Sequence, residues 1–66
     1  MTAQFPAPSL AAQVAELKRE RKMRERVYPF WVQTKKIKQH DADRQMQCLD
    51  AAIATLERLA QEAGNG

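Results

Sequence analysis

Large apolar side chains are scarce in this chain. Of its 66 residues 29 are apolar, but 11 of those are alanine. Burial gains in a monomer of 7.5 kDa would barely offset the entropy of ordering the chain. An oligomer that shares its core is therefore expected. The single cysteine, Cys48, excludes a disulfide within the chain and suits a reducing compartment. One His and one Cys cannot supply a zinc site, and both glycines lie in the last three residues, so no glycine-rich phosphate loop exists. No apolar run approaches 18 residues, and the first residues lack the positive charge of a secretory leader. The expectation is a cytoplasmic protein with no enzymatic activity, cofactor, metal or membrane partner.

What is present is charge, unevenly placed. Between Lys18 and Lys38 stand nine basic residues against Glu20 and Glu25, which gives that segment +7. The formal total is +3, so the remainder carries −4. A basic middle of this kind suits nucleic acids, nucleotides or acidic protein surfaces. Part of it is also explained by pairing along a helix, such as Glu20 with Arg24 at i, i+4.

Residues 1–9 show no periodicity and read as a disordered lead, with Ser9 placed as an N-cap. From there Leu10, Val14, Leu17, Arg21, Arg24, Tyr28 and Trp31 recur in steps of 4 and 3, one face of a helix ending near Gln33. Pro29 interrupts that helix, and the apolar residues just after it predict a proline-kinked continuation rather than a stop. Tyr28, Phe30 and Trp31 read as a hydrophobic plug at one end of a small bundle. Residues 33–38 read as a connection without a glycine to cap the first helix. A second helix, from about Gln39 to Ala63, carries the stripe Ala42, Met46, Leu49, Ile53, Leu56, Ala60 and Ala63 in the same steps. Residues 64–66 read as a flexible tail.

Two helices joined by so short a connection pack antiparallel. The stripes then set Tyr28 near Met46, Arg24 near Leu49, Arg21 near Ile53, Leu17 against Leu56 and Leu10 against Ala63. The single domain is thus an all-α antiparallel helical hairpin over residues 10–63. A second apolar edge remains on each helix: Met23, Val27 and Phe30 on the first, Cys48, Ala52, Thr55 and Leu59 on the second. These edges predict a dimer forming a four-helix bundle, or a higher oligomer. Cys48 is expected to be a buried small apolar side chain. Arg21 and Arg24 occupy seam positions, where they could pair with Asp50 or Glu57, snorkel outward, or face an anion.

The runs Ala15-Glu16-Leu17-Lys18-Arg19-Glu20, Met23 to Pro29 with Trp31-Val32, and Ala51 to Leu56 preceded by Met46 resemble small helical proteins of proteobacterial phages and prophages. The resemblance spans about two thirds of the chain. Those proteins tend to carry Arg where this chain has Phe30, and Gly where it has Lys35 or Lys36. They have no assigned activity, so the resemblance implies an accessory role inside an infected or lysogenic bacterium and no catalytic residues. The expected function is binding: interference with a host protein, as an anti-defence or host-takeover inhibitor. Alternatives are a sponge for nucleic acid or a small nucleotide signal, and a structural or assembly factor. An anionic partner would be held by Arg19, Lys22, Arg26 and Lys35 with Tyr28 and Trp31 as stacking surfaces. No helix-turn-helix signature is present.

Overall fold

The computed structural model describes residues 7–65, which form two helices, α1 (Leu10–Gln33) and α2 (Gln39–Asn65), with no strand among the described residues. Ser9 caps α1 as its sequence position predicts. Its backbone is extended, and its Oγ accepts from the Ala12 N–H at 3.0 Å, which satisfies one of the otherwise orphaned first-turn donors. Pro29 has no N–H to offer the Glu25 carbonyl, yet α1 runs on through it to Gln33. The described part of the expected lead, residues 7–9, is non-helical; residues 1–6 lie outside the described residues.

The end of α1 is closed without glycine. Lys35 adopts φ 64°, the left-handed conformation that glycine adopts without strain. This turns the chain so that the Lys35 N–H donates to the Val32 carbonyl at 3.1 Å and the Lys36 N–H to the Trp31 carbonyl at 2.7 Å. Those two bonds are the pair that defines a Schellman cap. The apolar contact that usually accompanies it is replaced by the Lys36 ammonium, 5.3 Å from the centre of the Trp31 ring.

α2 begins with Asp41 in its first turn, where a carboxylate favours the helix dipole. It extends to Asn65, past the expected end at Ala63. Glycine inside a helix costs only about 1 kcal/mol relative to alanine, and Gly64 does not adopt the left-handed conformation that would end the helix there. Residue 66 of the expected tail lies outside the described residues.

Three cross-helix contacts establish the antiparallel pairing. The Tyr28 hydroxyl donates to Gln45 Oε1 at 2.8 Å, Arg21 pairs with Asp50, and Lys18 Nζ lies 2.7 Å from Glu57. The core beneath them is thin. Val14, Leu49 and Ile53 form its centre, with Leu17 and Leu56 half-buried against it. Tyr28 and Ala42 are buried nearer the connection. No large side chain is fully enclosed. Both stripes face inward as their spacing predicts, except at the open end: Leu10 is half-buried but Ala63 is exposed, so the expected Leu10–Ala63 contact does not close the hairpin.

Candidate functional site

The two seam arginines resolve differently. Arg21 bridges the helices to Asp50 and also pairs with Glu25 one turn on. The guanidinium hydrogen bond holds the Asp50 carboxyl below its ordinary range and outweighs desolvation. Bonds to Asp50 and then Glu25 likewise raise Arg21 above its usual value. Arg24 stays within α1: its Nε lies 2.9 Å from Glu20, and its guanidinium carbon stands 5.9 Å from the Tyr28 ring centre. Glu57 is taken by Lys18 rather than by either seam arginine.

The remaining positive charge is the distinctive feature. Lys18, Arg19, Arg21, Arg24, Arg44 and Arg58 each have a carboxylate partner. Among the described residues, Lys22, Arg26, Lys35, Lys36 and Lys38 have none, and they all fall in one stretch of 17 residues. Lys22 and Arg26 are one turn apart on α1, and the three lysines follow in the connection. Charge that pairing leaves over is therefore gathered at one side and one end of the hairpin.

The expected combination of these cations with Tyr28 and Trp31 does not form. Tyr28 is buried in the seam, hydrogen-bonded to Gln45 and flanked by Trp31 at 5.6 Å between ring centres. Nine residues separate it from Arg19, which at about 100° per residue is half a rotation. Tyr28 is thereby removed as a stacking surface from the anion site. Trp31 is half-buried and covered on one face by Lys36.

Phe30 takes the place of Tyr28. It follows Arg26 by one turn, is 62% exposed, and shares the outer face of α1 with Arg19 and Lys22. The plug reading holds for Tyr28, buried, and in part for Trp31, but not for Phe30. The i, i+4 spacing from Arg26 was the sequence signal for this arrangement. On α2, Cys48 is exposed rather than buried, and Ala52 and Leu59 are exposed beside it. Among the described residues no group of three or more His, Cys, Asp or Glu is placed to hold a metal ion, and no helix is long and apolar enough to cross a membrane.

The architecture is thus a small two-helix hairpin with a charge-paired seam and an unpaired basic surface. No family model matches the chain, and no curated protein or solved structure is found to be similar to it.

Proposed function

We propose that this is a non-enzymatic binding protein that works as a dimer of hairpins and grips an acidic protein through the outer face of α1 and the connection. In the phage setting that the sequence resemblance suggests, the partner is a protein of the bacterial host, inhibited by occlusion. The observation that carries this reading is that, among the described residues, every Lys and Arg without a carboxylate partner falls between Lys22 and Lys38, beside exposed Phe30. An exposed aromatic next to arginine is the composition of an interface hot spot. The unpaired lysines around it favour an acidic surface and hasten encounter. With Tyr28 withdrawn into the seam, the surface lacks the row of rings on which successive bases would stack, which favours protein over single-stranded nucleic acid.

The test is capture from a bacterial lysate, with nucleic acids and small metabolites analysed beside proteins. A protein retained by the native chain and lost by both Lys22→Glu/Arg26→Glu and Phe30→Ala supports the reading. Recovery of nucleic acid or nucleotide alone, lost at high salt, overturns it in favour of an anion sponge. A partner retained equally by all variants places recognition elsewhere, and no partner at all leaves an assembly factor as the better description.

A further inference from the structure

The ion pairs between the helices identify one side of the hairpin. Lys18 and Arg21 on α1 meet Glu57 and Asp50 on α2 there. Nine residues make two and a half helical turns, so a residue nine away faces the opposite side. Val27 stands nine after Lys18, Leu59 nine after Asp50, and Cys48 nine before Glu57. Met23 and Ala52 flank them by one turn each. The two apolar edges therefore lie on the same side of the hairpin, opposite the ion pairs, and form a single face. Val27 and Met23 are half-buried; Cys48, Ala52 and Leu59 are exposed, Leu59 by 41%. Phe30 is about 60° round from Val27 and belongs to the outer face of α1 instead.

A second copy is the occupant this face fits. Among the described residues the hairpin alone fully encloses no large side chain, and a chain of this size is marginal on its own core, so a second copy supplies the burial that one hairpin lacks. A two-fold contact sets a patch against itself, so unpaired charge on it would repel. The carboxylates bordering this face are matched, Glu16 by Arg19, Glu20 by Arg24 and Asp41 by Arg44. Lys22 and Arg26, by their spacing from Val27 on α1, lie off it.

Those cations also select the orientation. Two hairpins can stack face to face with their connections at the same end or at opposite ends. At the same end, Lys35, Lys36 and Lys38 would approach their own copies, three unpaired cations in each chain against one carboxylate without a cation partner, Asp43, since Asp41 is taken by Arg44. At the open end the charges are balanced, Glu57 by Lys18 and Glu62 by Arg58. We infer that two copies pair through the Met23, Val27, Cys48, Ala52 and Leu59 face with their connections at opposite ends, so that α2 lies antiparallel on the α2 of its partner. Ala52, near the middle of the α2 edge, then falls close to the two-fold axis, where its small side chain permits close approach. The inference rests on the dimeric form proposed above but not on the identity of the bound protein.

Sedimentation equilibrium and cysteine cross-linking test it together. The native chain sediments as a dimer at micromolar concentration, Leu59→Asp weakens association at least 100-fold, and Phe30→Asp leaves it unchanged. In a Cys48→Ala background, Ala52→Cys forms a disulfide-linked dimer under mild oxidation without loss of helical signal. A native chain that sediments as a monomer overturns the pairing, and so does dissociation by Phe30→Asp but not by Leu59→Asp. A dimer in which Ala52→Cys fails to cross-link overturns the orientation. A native dimer that captures no partner, or whose capture survives Lys22→Glu/Arg26→Glu and Phe30→Ala, would instead count against the binding surface, so the two failures are separable.

Discussion

Lys35→Gly should make this protein more stable, although it removes a cation and every side-chain contact at that position. Lys35 sits at φ 64°. The left-handed conformation costs an L-residue about 1–2 kcal/mol. Glycine escapes that cost but loses more backbone freedom on folding, about 0.5–1 kcal/mol. The net gain is about 0.5–1 kcal/mol, which for a chain of this size raises the melting temperature by about 2–8 °C. Far-UV circular dichroism at matched chain concentration reads it, since melting of an associating protein depends on concentration. Lys35→Ala is the control. It removes the same charge but keeps the backbone penalty, so it should melt at or below the native temperature. If Lys35→Gly melts no higher than Lys35→Ala, the left-handed cap contributes no strain and the reasoning fails.

Other outcomes follow from the seam and the core. Leu49→Ala should destabilise by about 2–3 kcal/mol, the low end for a buried leucine because the core around it is thin; denaturant titration that finds a cost near zero would place Leu49 on the surface. Asp50 titrates below its ordinary value when folded, so the stability it contributes is fully present above about pH 4 and is lost as pH falls towards the folded value. Asp50→Asn should therefore flatten the acid limb of a stability–pH curve, and an unchanged limb would remove the Arg21 bridge from the account.

The helices were legible because their cores are written in 4-3 steps. Leu10 to Trp31 and Ala42 to Ala60 turn inward as a stripe, and even the two arginines within it are half-buried. The pairing of Arg24 with Glu20 was legible from its i, i+4 spacing, but which carboxylate Arg21 takes was not. A guanidinium reaches any of several carboxylates, and Arg24 found Glu20 on its own helix while Arg21 found Asp50 across the seam. Nearness along the chain misled for Tyr28, which lies among the basic residues in sequence but half a rotation from Arg19 in space. The end of α1 carried no glycine to mark it, and Lys35 occupies the left-handed position unannounced. Gly64 made the opposite error, marking an end that α2 passes through.

The connection of five residues between α1 and α2 also orders the events of folding. Pairing Tyr28 with Gln45 closes a short loop, Arg21 with Asp50 a longer one, and Lys18 with Glu57 a longer one still. Closure entropy rises only slowly with loop length, so once the first contact forms, each later one costs little and the hairpin zips outward from the turn. Contacts this local favour fast folding. With the pairing of two copies inferred above, the slow step would be the meeting of two finished hairpins, and refolding would quicken as the chain is concentrated. Opening reverses the order. The ends near Leu10 and Ala63 should exchange their amide protons first, and the amides around buried Tyr28 and Leu49 last.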